Sequence, residues 1–327
     1  SDAENEPDQM NMPERRSAFF LVLLLLAGSA AGDGRASMAE YNGFDVVGGM
    51  IDPLDIYHGG PERDGIPAID RPRFLAGTAR EGALDPDERV MGVNHNGIAK
   101  AYPIRILDQH EIVNDWFRDT PVTITFCPLC GTGMVFLAQV GDSTLRFGVS
   151  GLLYNSDVLL YDRSTESLWS QIMRTAVTGP MKGEQLTQIP AQHTTWGSWL
   201  KHHPESLLLS RDTGFVRDYD AEPYYDNKRL PMIMFPTVHQ DLRIPGKTWV
   251  VGIELDDQAL AIPFEQLDKL DGVLRLKLGE NALNIHWDRE SSSARAFTGA
   301  GKEIPTTSGY WFAWVAFYPQ TALHNPE

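Results

Sequence analysis

The segment Val90–Leu107 reads VMGVNHNGIAKAYPIRIL, and the segment Val250–Leu267 reads VVGIELDDQALAIPFEQL. They align without a gap at an offset of 160 residues (250 − 90). The shared positions include Gly92/Gly252, Ala99/Ala259, Ala101/Ala261, Pro103/Pro263 and Leu107/Leu267. Each copy predicts a strand, a turn, a second strand, a proline and a short helix. This similarity predicts a diverged internal duplication, with chance resemblance of two hairpins as the alternative.

Short β-type runs separated by Gly, Asn and Asp dominate the chain from Arg89 onward. They include RVMGV, IAKAYP, PVTITF, MVFLAQV and DVLLYD. We therefore expect a mainly β (α+β) protein with two lobes of antiparallel strands and few short helices. Helices are predicted around Trp196–His203 and Pro263–Leu270. The apolar stretch Tyr310–Tyr318 is too short to span a bilayer and predicts a buried strand.

These patterns divide the chain into four parts. Residues 1–39 are predicted to hold a signal peptide and the residues upstream of it. Residues 40–88 are rich in Gly, Pro and Asp and predict an extended lead-in. Residues 89–240 would form the first β lobe, and residues 241–327 the second.

The signal peptide is predicted from three adjoining features. Arg15 and Arg16 precede an apolar run, Ala18–Ala27, and small residues follow it at positions 28–31. A basic region, a short apolar region and a small-residue exit are typical of secretory signals. We expect an exported protein, periplasmic or extracellular, with cleavage after Ala31 or Ala39.

Composition excludes several classes of protein. The 327 residues are 42% hydrophobic, which is enough for a folded core, and acidic residues outnumber basic ones by 44 to 28, for a net charge of −16. This balance argues against a nucleic-acid partner, and against a membrane partner beyond the signal peptide. Two cysteines exclude a disulfide-rich scaffold and a four-cysteine zinc ribbon.

The strongest chemical signal is Cys127-Pro-Leu-Cys130-Gly131. Glycines at positions 131 and 133 and the β-prone residues Met134–Phe136 disfavour a helix after the first cysteine. They predict a strand, a tight turn and a strand, as in a metal-binding knuckle. A Cys-x-x-Cys pair also suits a redox-active dithiol or a structural disulfide, and all three interpretations stay open.

His110 is the predicted third ligand, because the strand before the knuckle would carry the chain back past it. In the second copy, Leu270, Trp287 and Glu290 stand at the positions of His110, Cys127 and Cys130. The second copy would therefore lack the site. Two thiolates and an imidazole form a soft donor set, which suits copper, with zinc or no metal as the alternatives.

Asn155 and Asp157 interrupt apolar strands further along the chain. They are candidates for cofactor binding, with Asp157 orienting a ligand of the cysteine site. The alternative is that Asn155-Ser156-Asp157 is a turn stabilised by hydrogen bonds to its own backbone.

Several motifs together resemble a known family. They are HEIVND (110–115), TFCPLCGTG (125–133), FGVSGLLYNSD (147–157), LLYDRSTESLWSQ (159–171) and the terminal WFAWVAFYP. They resemble the bacterial and archaeal family catalogued as domain of unknown function 3179, from about Gly65 to Pro319. The family is typically exported, which agrees with the predicted signal. The resemblance implies where the site lies but no reaction.

The leading hypothesis is an exported protein whose Cys127, Cys130 and His110 bind a soft metal, copper first, for redox chemistry or metal handling. A second is a metal-free thiol–disulfide oxidoreductase in which Cys127 attacks and Cys130 resolves. A third is a non-enzymatic binding module with a structural disulfide. Whether the protein is an enzyme, and on what substrate or partner it acts, is left open by the sequence.

Overall fold

A computed structural model describes residues 41–79, 84–270 and 272–324. The predicted signal segment, 1–39, lies outside the described residues. Within them the chain is mainly β, with five short α-helices and a 3₁₀ turn at Pro53–Asp55. None of these helices has the length and apolar character that a membrane crossing requires.

The described residues form 23 strands. The first half of the chain contains β1 (Ile56–His58), β2 (Phe74–Ala76), β3 (Arg89–His95), β4 (Ile98–Pro103), β5 (Ile112–Phe117), β6 (Thr120–Cys127), β7 (Thr132–Leu137), β8 (Gln139–Val140), β9 (Ser143–Thr144), β10 (Phe147–Tyr154) and β11 (Asp157–Asp162). The second half contains β12 (Leu168–Ser170), β13 (Thr175–Ala176), β14 (Gln192–Thr195), β15 (Leu207–Leu209), β16 (Trp249–Leu255), β17 (Gln258–Pro263), β18 (Val273–Leu278), β19 (Asn281–Asp288), β20 (Ser293–Thr298), β21 (Glu303–Ile304), β22 (Thr307–Tyr310) and β23 (Ala322–Leu323).

The strands form five larger sheets and one two-stranded ribbon, β8-β9. The sheets have the orders β1-β10-β11-β12-β13, β14-β3-β4-β15-β2, β5-β6-β7, β22-β16-β17-β23 and β18-β19-β20-β21. This arrangement resembles a five-bladed β-propeller, and the predicted two-lobed duplication is wrong. Residues 89–240 divide among three of the larger sheets instead of forming one lobe. Strands β1 and β2, from the predicted lead-in, join two of these sheets.

The five helices are short. They are α1 (Ile104–His110), α2 (Trp196–His202), α3 (Tyr225–Arg229), α4 (Phe264–Leu267) and α5 (Trp311–Phe317). The predictions of α2 and α4 are confirmed. The predicted final strand is wrong, because most of the stretch forms α5. Its β-prone residues form a helix because nearly all of them are buried, so packing overrides local preference.

Two regions of the chain share a local pattern. We name β3–β7 with α1 (89–137) the cysteine region, and β16–β20 with α4 (249–298) the counterpart region. In both, the first hairpin has the same register, with Gly92 opposite Ala101 and Gly252 opposite Ala261. A tryptophan covers each glycine, so that an added Cβ would lie 2.2 Å from Trp199 or 2.3 Å from Trp314. The glycines are required for this close approach.

The two regions lose their common offset after the first hairpin. In the cysteine region Cys127 pairs with Thr132, and in the counterpart region Asp288 pairs with Ser293. The offset is therefore 161 residues for these hairpins, because the helix and the link after it together are one residue longer in the counterpart region. Asp288 and Ser291 occupy the positions of the two cysteines. The sequence alignment, which placed Trp287 and Glu290 there, is one residue out of register.

Candidate metal centre

The turn between β6 and β7 holds both cysteines. Cys127 ends β6, and Cys130 lies in the turn that leads to β7. Gly131 completes the turn with a φ of +67°, in the left-handed region that glycine adopts at low cost. The predicted strand–turn–strand structure is confirmed. Cys127 therefore does not lie at a helix N-terminus, where a helix dipole would activate its thiol.

Both cysteines are free thiols and are fully buried. Their Sγ atoms approach the same backbone oxygen, that of Ser156, at 3.8 Å from Cys127 and 3.2 Å from Cys130. The turn thus aims two sulfurs at one point.

Asp157 approaches this point from another hairpin. Strands β10 and β11 are joined by Asn155 and Ser156, whose φ angles are +52° and +66°. Two successive left-handed residues are typical of a type I′ turn. This turn brings the Asp157 carboxylate next to the thiols, and one ligand atom from each of Cys127, Cys130 and Asp157 lies within 4.8 Å of the other two.

Hydrogen bonds hold Asp157 in place. The Thr132 hydroxyl lies 3.3 Å from Oδ1, and the backbone N–H of Ile172 donates to Oδ2 at 3.3 Å. Gln171 in turn contacts Thr132, because the Oε1 of Gln171 lies 2.8 Å from the Thr132 hydroxyl. The side-chain amide of Gln171 also donates to the Thr125 hydroxyl at 2.8 Å. Every one of these side chains is buried. The carboxylate is therefore oriented before any ligand binds.

His110 does not join this group, and its prediction as the third ligand is corrected. Its Nδ1 lies 2.7 Å from the backbone oxygen of Pro67, and its Nε2 lies 2.7 Å from the Tyr219 hydroxyl. The ring packs between Phe215 and Tyr219, at 5.4 and 5.7 Å. Since both ring nitrogens are engaged in hydrogen bonds, His110 has a structural role. Asp157, predicted only to orient a ligand, stands where His110 was expected.

Asn155 also has a structural role in these contacts. Its Oδ1 accepts from the N–H of Val238 at 2.8 Å, and its amide donates to the oxygen of Ala316 at 3.3 Å. The side chain thus ties the turn to two later segments rather than pointing at the thiols.

The two buried cysteines lie in TFCPLCGTG, one of the motifs that carried the family resemblance. A family model described as a protein of unknown function, DUF3179, matches residues 63–321. The chain belongs to the DUF3179 family. No curated protein and no solved structure matches at a significant level. The resemblance drawn from the motifs is confirmed, and it brings no activity with it.

Glu111 is a buried acid on the cavity wall that was not among the residues predicted for the site. It follows α1 with a φ of +58°, an uncommon conformation for a residue with a side chain, and it is buried. Burial, together with the negative charges of Asp157 and Asp108, raises its pKa to about 8. The available signal was its place in the HEIVND motif, directly after His110.

A cavity of about 440 Å³ lies beside the cysteine turn, although none of Cys127, Cys130 and Asp157 lines it. Its wall includes Glu111, Pro128 and Leu129 from the cysteine region, and Val158 next to Asp157. Tyr224 and Tyr225 line it from α3 and the residue before it. A volume of this size suits a small molecule.

The centre of this DUF3179 protein is a buried cluster of acidic groups. Burial raises the pKa of both thiols, and it raises the pKa of Asp157 to about 7. Neither Asp157 nor Glu111 forms an ion pair with any residue that the structure describes. A bound cation would favour the ionised forms of all these groups.

Proposed function

We propose that Cys127, Cys130 and Asp157 bind a metal ion, and that the protein is exported and uses this centre for metal handling or redox chemistry. The observation that carries the proposal is the convergence of two sulfurs and a carboxylate within 4.8 Å in a buried site. Groups of this kind are costly to bury without a partner, and a metal ion would supply one.

The donor set determines which metal fits. Thiolates suit Cu(I) and zinc, while a carboxylate oxygen is a hard donor that suits zinc better than Cu(I). Zinc is therefore the first metal that we propose, and copper, which the sequence predicted with an imidazole ligand, is the second. Zinc would act as a Lewis acid, whereas copper would carry electrons.

Three protein donors leave one position of a tetrahedral ion open. We assign that position to a ligand entering from the cavity that Glu111 lines. Open positions are typical of catalytic and transfer sites, while structural zinc sites are closed by four protein ligands.

The two rival functions find less support in the geometry. A thiol–disulfide oxidoreductase needs an exposed cysteine of lowered pKa. Here both sulfurs are buried and burial raises both pKa values. A structural disulfide would need bonded sulfurs, and both cysteines are free.

Metal analysis of the full chain, purified from the periplasm without chelators, tests the proposal. We expect about one metal ion per chain in the wild type. Cys127→Ser and Asp157→Asn should weaken binding by more than the ~10–100-fold that loss of an outer partner costs. His110→Ala is the matched control, because both of its ring nitrogens are engaged elsewhere, and it should retain the metal.

A second readout separates ligation from folding. Co²⁺ replacing the native ion should give a thiolate-to-metal charge-transfer band in the wild type and in His110→Ala. A wild-type protein that is folded, metal-free and unable to take up Zn²⁺, Cu⁺ or Co²⁺ would contradict the proposal. Loss of metal in His110→Ala with retention in Asp157→Asn would return the site to the original Cys/His assignment.

A further inference from the structure

A second cavity, of about 450 Å³, is bordered by residues of both similar regions. Gly131 and Pro128 of the cysteine knuckle border it, and Ser292, from the matching turn of the counterpart region, borders it as well. Neither Cys127, Cys130 nor Asp157 lines it. It shares only Pro128 with the first cavity, so the two are separate spaces.

The walls of this cavity are aromatic. Phe126, Trp249, Phe264 and Tyr310 line it. Trp249 is central, with ring centroids 4.8 Å from Tyr310 and 5.8 Å from Phe264. Such walls favour a flat, apolar molecule, since aromatic rings stack in offset or edge-to-face geometry.

Arg89 brings a positive charge into this apolar space. One Nη donates to the backbone oxygen of Ser291 and the other to that of His193, the latter at 2.7 Å. Among the residues that the structure describes, no carboxylate lies within ion-pair distance of Arg89, and its Nε makes no hydrogen bond. Burial lowers the pKa of Arg89 to about 10, which reflects a charge without an acidic partner.

His193 adds unused hydrogen-bonding capacity. Its Nδ1 is buried and has no partner among the described residues, and its ring packs against Trp249 at 5.6 Å. Burial and the charges of Arg89 and Lys228 lower its pKa well below the usual value, so the ring is neutral. A neutral imidazole carries one donor and one acceptor.

The remaining charge on the wall is compensated. Lys228 donates to Asp108 at 2.6 Å, and Asp108 does not itself line the cavity. No acidic side chain lines the cavity within the described part of the chain. The cavity is therefore positive, although the whole protein carries a net charge of −16.

We propose that this cavity binds a small aromatic carboxylate, whose ring packs against Trp249 and whose carboxylate pairs with Arg89. The guanidinium fork matches a carboxylate in shape, and the pairing would remove the uncompensated charge. The neutral His193 would donate to the same carboxylate. This site does not depend on a metal at the cysteine centre.

Calorimetric titration of the full chain with 2-naphthoate tests the proposal, with 2-naphthamide as the uncharged probe of the same shape. We expect one naphthoate per chain and binding at least tenfold weaker for the amide. Arg89→Lys should weaken naphthoate binding at least tenfold and leave amide binding little changed, because lysine keeps the charge without the fork. Arg73→Gln is the control, since Arg73 is an exposed arginine paired with Asp212.

The acid and amide comparison needs no variant, so the proposal stays testable if Arg89→Lys does not fold. Equal affinity for the acid and the amide would overturn it. So would the lack of saturable naphthoate binding up to about 1 mM. Unchanged naphthoate affinity in a folded Arg89→Lys protein would overturn the assignment of the carboxylate to Arg89.

Discussion

The cysteine region and the counterpart region begin alike and end differently. Both open with a hairpin of the same register, covered by a tryptophan at the same glycine. In the cysteine region all of β6 from Pro121 to Cys127 is buried, whereas β19 in the counterpart region alternates between buried and exposed residues. A shared hairpin scaffold therefore does not determine whether a buried polar site can form. The two regions differ instead in how deeply the following sheet is buried.

The difference extends to the turn residues. Where the cysteine region has Cys127 and Cys130, the counterpart region has Asp288 and Ser291, and the Ser291 hydroxyl donates to the Asp288 carboxylate at 2.5 Å. Ser198 donates to the same carboxylate at 2.8 Å. Neighbouring hydroxyls satisfy this acid, so the counterpart turn is complete without a metal ion.

The largest expected effect comes from a buried ion pair found only in the cysteine region. Lys100 donates to Asp115 at 2.7 Å, and both are buried. The matching residues of the counterpart region are Leu260 and Leu276. Lys100→Leu should lower the free energy of unfolding by about 3–5 kcal/mol, because it leaves Asp115 charged, buried and unpaired. Urea denaturation followed by circular dichroism measures this loss.

The double variant Lys100→Leu/Asp115→Leu is the control for this prediction. It copies the counterpart residues and should recover at least half of the loss, because an apolar pair can replace a buried ion pair. A double variant no more stable than Lys100→Leu would show that the two regions are packed too differently for such an exchange.

The sequence was sufficient for the local features of this comparison. The hairpins, the knuckle and α2 and α4 follow from turn residues and hydrophobic spacing within short windows. It was insufficient where distant segments meet. Asp157 reaches the thiols because the Asn155–Ser156 turn packs against the knuckle, and no spacing along the chain records that contact. His110 was chosen as a ligand by its nearness in sequence, but α1 directs its ring toward Tyr219.

The next effect, in order of size, is a pH dependence to which Glu111 of the cysteine region contributes. The pKa of Glu111 is about 8 in the fold, against about 4.3 in an unfolded chain. The folded state therefore favours the protonated acid. As pH rises from about 4 to 8, Glu111 ionises first in the unfolded state, and this residue lowers the stability of the metal-free protein by at most about 1.4 kcal/mol per pH unit. Asp157, whose pKa is raised to about 7, adds a loss of the same sign.

Unfolding of the chelator-treated protein at pH 5, 6 and 7 measures this slope, with Glu111→Gln as the comparison. The glutamine variant should lose less stability over this range than the wild type. In the counterpart region, hydrogen bonds from Ser291 and Ser198 lower the pKa of Asp288 despite its partial burial. Asp288→Asn should therefore lower the stability of the protein at pH values above 5, because it removes a group that stabilises the fold when ionised. Parallel pH profiles for wild type and Glu111→Gln would place the origin of the dependence elsewhere.

The smallest expected effect is the most direct test of what the comparison teaches. Asp288→Cys/Ser291→Cys installs a Cys-x-x-Cys pair at the matching turn of the counterpart region. In this variant Asp288 is itself replaced, and Glu290, the other acid of the turn, is exposed, so the new pair lacks a buried carboxylate from the turn. We expect the metal content per chain to stay at the wild-type value, measured by elemental analysis together with thiol titration. The same pair in a chain that also carries Cys127→Ser should not restore the lost metal. A second equivalent of metal bound by the new pair would mean that the turn alone suffices, and that neither burial nor the carboxylate from β11 is needed to build the centre.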